Sequence, residues 1–408
     1  MNARPADPSL IDSPHAAWRL LTTLGLVVLG NSSMYVVSVV LPSVQAEFGV
    51  GRADASLPYT MMMVCLGLGG LWTGRLADRH GLAPVLWAGA LAVCGGFVWA
   101  GMSGSIWAFG LAHALMGLVG SSSTFAPLLA DTALWWNRKR GMAVAICASG
   151  NYIAGALWPP IVQHGIETIG WRQTYMLMGL VCGLGMLALS LRMRQRPPLV
   201  SGAPASAGAP VLDRSRPFGL APAQAQGLLC LAGVACCVAM AMPQVHIVAY
   251  CSDLGYGAAR GAEMLSLMLA CGIVSRLVSG YICDRIGGIR TLLLGSSLQG
   301  VALLMFLPFD GMVPLYVVSA MFGLFQGGIV PSYAIIVREH FAASEAGVRV
   351  GAVIMATLVG MALGGWMSGW VFDMTGSYRA AFINGTCWNL LNLSIAGWLY
   401  WRVRKVRR

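Results

Sequence analysis

The chain has 408 residues, of which 57% are hydrophobic and only 10% charged, with a mean hydropathy of +0.71 and a formal net charge of +11. So apolar a composition excludes a water-soluble globule, and continuous apolar runs in place of alternating segments of about ten residues exclude a membrane barrel. Spans of about 20 residues with short connections leave room for roughly twelve membrane helices, and beside such spans a basic surplus records orientation in the lipid bilayer and does not imply nucleic acid.

Residues 1–16 form a polar, proline-bearing tail with no small-residue cleavage site, so the apolar run over 18–41 is expected to be a retained first span and not a signal peptide. Further spans are expected over 57–81, 83–101, 106–135, 141–162 and 171–191, completing a first six-helix bundle over 17–192. Residues 193–222 are rich in Pro, Ala, Gly, Ser and Arg, the composition of a flexible cytoplasmic linker. A second bundle over 223–402 holds spans near 227–250, 261–282, 290–307, 313–337, 349–372 and 380–401, and residues 403–408 are a basic tail. With the N-terminus inside, 21 of the 26 Lys and Arg residues fall in inner segments and four, Arg52, Arg172, Arg260 and Arg379, in outer ones. That bias places both termini in the cytoplasm. The 11 cysteines lie mostly inside apolar runs without metal-ligand spacing and read as small core residues; no metal or cofactor is implied.

The remaining basic residue is Arg276, inside the apolar stretch 264–282. A charge at that depth costs roughly 2.5–3.5 kcal/mol even on a lenient scale and normally faces a bundle interior or an aqueous cavity. Arg276 therefore asks for an anion, and no carboxylate lies within one helical turn of it. Snorkelling to the inner surface or a structural pairing are the alternatives.

Sliding the first half over the second by 206 residues superposes Asp78 on Asp284, Arg79 on Arg285 and Glu47 on Asp253, with nine glycine pairs that include Gly74/Gly280, Gly81/Gly287 and Gly117/Gly323. Composition alone gives about three or four such glycine pairs. A six-span unit is thus used twice, as in carriers that expose a midplane site to each side in turn. The turn Gly74-x-x-x-Asp78-Arg79-x-Gly81 and its copy Gly280-x-x-x-Asp284-Arg285-x-Gly287 offer small residues for close helix approach and a carboxylate suited to a helix N-terminus.

In these two turns the chain resembles the major facilitator superfamily along essentially its whole length. The resemblance implies an all-α polytopic membrane protein of twelve transmembrane helices in two pseudo-symmetric six-helix bundles, with Gly74, Asp78, Arg79, Gly81, Gly280, Asp284, Arg285 and Gly287 forming a cytoplasmic gating motif. The segments Arg140-Gly-Met-Ala143, Gly150-x-x-x-x-Gly155-x-x-x-Pro159-Pro160, Gly170-Trp-Arg172, Gly327-Gly-Ile-Val-Pro331 and Gly376-Ser-Tyr378 look like the monocarboxylate porter branch, including oxalate/formate-type exchangers. That branch implies Arg276 as the substrate carboxylate's partner, as a planar donor fork suits. His246, in the outer half of span 7, would bind the acid or carry a coupling proton. Tyr152, Asn151, His113, Tyr35, Asn31 and Gln326 are polar groups within spans that a cavity would use, and helix-to-helix hydrogen bonding would explain each as well. Position 272 is Gly where animal carriers of the branch have an aspartate, and residues 353–360 lack the lysine of the oxalate exchangers. One cavity charge favours a monoanion over a dianion.

The expectation is therefore a monomeric secondary transporter of the inner (plasma) membrane that moves a small monocarboxylate by alternating access. The alternatives are a facilitator exporter of a drug or metabolite, or a transport-inactive sensor. An enzyme is disfavoured, since the chain shows no paired carboxylates, metal-spaced His/Cys cluster or nucleophile and base.

Overall fold

The computed structural model describes residues 7–195, 216–342 and 345–406. Most of the expected linker, with Arg196 and Arg214, lies outside the described residues, as do Arg4, Arg407 and Arg408 of the tails. Every regular element among the described residues is helical.

The first span is two helices, α1 (Pro14–Gly30) and α2 (Ser32–Phe48), interrupted at Asn31. Next come α3 (Arg52–His80) and α4 (Leu82–Met102). The fourth span runs through α5 (Ile106–Leu115), a π-helical turn over Met116–Ser121, α6 (Ser122–Thr124) and α7 (Ala126–Leu134). After it come α8 (Arg140–Ile169) and α9 (Trp171–Ser190). The second half has α10 (Pro222–Asp253), α11 (Ala258–Ile286), α12 (Gly288–Met305), a tenth span split into α13 (Met312–Gln326) and α14 (Ile329–His340), then α15 (Ala346–Thr375) and α16 (Tyr378–Val406).

Among the described residues eleven of these spans are long and apolar enough to cross a membrane. The twelfth rod, α16, is 29 residues long but diluted by asparagines and a basic end. Two of those asparagines are buried inside the bundle. Asn392 donates to Ser296 Oγ at 2.8 Å and accepts from the Tyr333 hydroxyl at 2.8 Å, and Asn389 donates to the Ser296 carbonyl at 3.0 Å. Their polarity faces protein, so α16 is satisfied at a depth where lipid would penalise it.

The chain forms two compact units. The first comprises Met1–Gly49 and Met61–Ser206, the second Val50–Thr60 and Ala207–Arg408. The first turns of α3 thus cluster with the second unit, where Thr60 donates to the Ala362 carbonyl at 2.9 Å.

The repeat is visible in backbone conformation. Gly81 and Gly287, equivalent by the 206-residue offset, end α3 and α11 with φ of 88° and 82° and nearly extended ψ, a region essentially reserved for glycine. Close helix approach lies elsewhere than the motif suggests. A β-carbon added at Gly74 or Gly280 meets nothing within 4 Å, because both positions point away from neighbouring helices. The tight crossing is that of α11 with the tenth span, where a β-carbon on Gly323 would fall 1.9 Å from the Met268 carbonyl oxygen. Gly323→Val should therefore push α13 off α11 and cost about 3 kcal/mol. Unfolding of purified protein in detergent checks this, with Gly280→Ala as the control expected to stay within about 0.5 kcal/mol of the parent.

Candidate functional site

The tenth span breaks at Gly327 and Gly328, between α13 and α14, and a break leaves backbone groups without their helical partners. The facing helix supplies them. The Gly327 amide donates to Ser275 Oγ at 3.1 Å, and its carbonyl accepts from Arg276 Nε at 3.4 Å. Arg276 is half-buried on α11, and its guanidinium is seated on a carbonyl at the break in span 10. One residue earlier, Gln326 is fully buried; its Oε1 accepts from Gln244 Nε2 at 2.8 Å. Among the described residues Gln326 Nε2 has no hydrogen-bond partner. The structure thus gathers Arg276 and Gln326 about Gly327 and adds Ser275 and Gln244, which hydropathy and charge did not single out.

His246, two residues beyond Gln244 on α10, belongs to a different cluster. Its Nε2 lies 2.7 Å from the Gly365 carbonyl, which can only accept, so Nε2 carries the proton and Nδ1 accepts from the Tyr378 hydroxyl at 3.2 Å. Tyr378 in turn accepts from Arg52 Nη1 at 3.1 Å. Arg52, 6% exposed, also donates through Nη2 to both carboxylate oxygens of Asp253 at 3.1 Å and lies 4.8 Å from the centre of the Phe372 ring. Asp373 completes the cluster by accepting from the backbone amides of Arg52 and Ala53, each at 2.8 Å, so that it caps α3. All these groups lie in the second unit, and the positive-inside count had treated Arg52 as an ordinary outer-loop residue.

The repeat explains why Arg52 is recruited. In the first unit Glu47, equivalent to Asp253, accepts from Arg172 Nη2 at 2.7 Å. The position equivalent to Arg172 is Tyr378, which has no charge to offer Asp253, and Arg52 provides the cation.

The first unit holds the other polar residues. His113 is fully buried, its Nδ1 2.9 Å from the Phe109 carbonyl and its Nε2 3.4 Å from the Tyr175 hydroxyl, amid Phe109, Trp171 and Tyr175 rings. Asn31 sits at the break between α1 and α2 and donates back to the Val27 carbonyl at 2.9 Å, which is the hydrogen bond a helix break requires. Tyr35 and Tyr152 are buried. Asn151 is half-buried, and among the described residues its Oδ1 has no hydrogen-bond partner.

At the repeated turns, Asp78, Arg79, Asp284 and Arg285 are exposed, and Arg285 lies over the Tyr281 ring at 4.5 Å. The carboxylate at the N-terminus of α12 is Glu339 from α14, which accepts from the Gly288 amide at 3.2 Å, where the repeated turn suggested an aspartate. Position 133, its equivalent in the first half, is Ala, so the repeat carried no signal for it. No group of His, Cys, Asp and Glu able to hold a metal occurs among the described residues.

The family model of the Major Facilitator Superfamily matches residues 22–322 and 264–408. Monocarboxylate transporter 13 of Rattus norvegicus is 26% identical over 318 residues, covering 76% of this chain and 71% of the relative. Monocarboxylate transporter 11 of Homo sapiens is 29% identical over 330 residues, 76% of this chain and 66% of the relative, and an MFS-type transporter of Gibberella moniliformis is 26% identical over 313 residues, 74% and 72%. Among solved structures, a bacterial homologue of the human lysosomal transporter Spinster, inward-facing and unoccupied, superposes with a TM-score of 0.74 over 96% of this chain and 98% of that one, at 13% identity. The peptide transporter POT in complex with sulfate gives 0.73 over 95% and 94%, also at 13% identity. At such identity the two structures speak for the fold alone.

Proposed function

The chain belongs to the major facilitator superfamily, a family of membrane transporters and not of enzymes, and from that premise we propose that it carries a small monocarboxylate by alternating access. Arg276 is the observation that carries the reading. A guanidinium held on the Gly327 carbonyl inside an apolar span presents a fixed cation that suits a carboxylate. Relatives named monocarboxylate transporters support the substrate class, and the lack of a lysine over 353–360 favours a monovalent acid. Within the first unit, Asn151, whose Oδ1 has no hydrogen-bond partner among the described residues, and Tyr152, Tyr35, Asn31 and His113 are the residues that we put forward for substrate contact.

On this reading the exposed Asp78, Arg79, Asp284 and Arg285 belong to the cytoplasmic gate. The carrier works as a monomer in the inner membrane with both termini in the cytoplasm. His246 takes the coupling proton: adding it at Nδ1 turns the Tyr378 hydroxyl away and sets a second cation against Arg52, with Asp253, Asp373 and Tyr250 as the other ionisable groups of that cluster. Uptake of labelled pyruvate into proteoliposomes tests this. It should be competed by other monocarboxylates and not by oxalate, and should quicken as the outer side is made acidic. Equal uptake across that pH range removes the proton from the scheme. No carboxylate uptake at all, with efflux of an apolar amphiphile instead, replaces the reading with that of an exporter.

A further inference from the structure

We propose that the crevice between α11, α12 and α13 in the second unit is a binding site for one anionic phospholipid, its acyl chain lying in the crevice and its phosphate held between Arg285 and Arg290. The crevice has a volume of about 220 Å³. One wall is Val274, Val278 and Ile282 of α11 and the other is Leu294 and Leu298 of α12, while Ser279, Gly295 and Gly328 are too small to fill the space between them. Val274, Val278 and Leu294 are about half exposed on helices long and apolar enough to cross a membrane, so the crevice is open to lipid. From Val274 to Ile282 the wall runs about 12 Å, close to the ~15 Å of hydrocarbon in one leaflet.

Both walls end in a cation. Arg285 follows Ile282 by three residues and Arg290 precedes Leu294 by four, so each continues its wall by one helical turn. Asp284 is rotated about 100° from Arg285 around α11, away from the crevice. Both arginines are exposed, and each guanidinium lies over a tyrosine ring, Arg285 4.5 Å from the centre of Tyr281 and Arg290 5.7 Å from that of Tyr400. Aromatic and basic side chains together mark the level of the headgroups.

An acyl chain gains little by leaving bulk lipid for an apolar crevice, because lipid tails are as apolar as the side chains. The head therefore decides which lipid stays. Guanidinium groups suit a phosphate, and each basic residue near the surface contributes roughly fivefold in affinity for an anionic head. A zwitterionic head brings its own ammonium to the same two cations. In the first half the position equivalent to Val278 is Trp72 and that equivalent to Arg290 is Pro84, so the duplication does not carry the site across. The site does not depend on what the carrier transports.

Phosphatidylglycerol with a diazirine in its acyl chain, incorporated into proteoliposomes of the full chain, tests this by photolabelling and peptide mapping. Label on residues 274–282 and 291–298 should exceed that from the matching phosphatidylcholine probe at least fivefold. Val278→Trp, which puts an indole into the crevice as the first half has at the equivalent position, should bring the phosphatidylglycerol label there down to the phosphatidylcholine level. Arg290→Gln changes an exposed side chain, should lower it roughly fivefold, and decides the matter should Val278→Trp fail to fold. Equal labelling by the two probes in the parent protein overturns the site and leaves an ordinary lipid shell. Phosphatidylglycerol label unchanged in Val278→Trp takes the chain out of the crevice, and label unchanged in Arg290→Gln takes the phosphate off that arginine; either result also overturns the proposal.

Discussion

Replacing Arg276 by lysine should weaken the transported acid almost as much as replacing it by alanine, despite conserving the charge. The Arg276 Nε–H donates to the Gly327 carbonyl, and a planar guanidinium sets its other N–H donors at fixed angles to that bond. A lysine has one ammonium on a flexible stem, and it serves either the carbonyl or the substrate. Losing one partner of a desolvated charge pair costs about 2–5 kcal/mol, which corresponds to roughly 30-fold or more in half-saturating concentration. Concentration dependence of pyruvate uptake in proteoliposomes checks this for both variants. A lysine variant that transports like the parent would show that Arg276 acts only as a diffuse positive charge, and an alanine variant that does so would remove it from the site.

Arg19→Met should destabilise the first unit by about 3–5 kcal/mol, among the largest effects of a single substitution in this chain. Arg19 on α1 and Asp131 on α7 form a two-pronged ion pair, Nε to Oδ2 and Nη2 to Oδ1, both at 3.0 Å, with side chains only 5% and 7% exposed. The guanidinium also lies 4.5 Å from the centre of the Trp135 ring. Removing the arginine leaves a buried carboxylate without its cation, which is far worse than removing both members. The double variant Arg19→Met with Asp131→Leu should therefore recover most of the loss, and denaturant unfolding of the four proteins yields the coupling directly. Equal stability of the single and double variants would show that Asp131 is solvated well enough to stand alone.

These two arginines mark the boundary between what is local and what is not. Hydropathy located the spans because lipid acts on each segment independently, and the 206-residue offset located the repeat because duplicated turns keep their glycines, as Gly81 and Gly287 do with φ of 88° and 82°. Arg276 was legible for the same reason: a charge inside an apolar run is visible without knowing any neighbour.

Counting charges by side of the membrane, in contrast, took Arg19 as an inner and Arg52 as an outer charge, yet the one is paired with Asp131 inside the first unit and the other with Asp253 inside the second. His246 and Gln326 looked like members of one cavity. Packing sends His246 to Tyr378 and Arg52, and Gln326 to Gln244 beside the Gly327 break. A sequence therefore established on its own the membrane class, the number of spans, the duplication and the one cation placed against its solvent. Only the tertiary structure decided the partners, because Arg52 and Asp253 are 201 residues apart and Gln244 and Gln326 are 82 apart. Which polar groups meet across an apolar bundle depends on how far each helix is rotated about its axis, and that rotation is set by packing against all its neighbours at once.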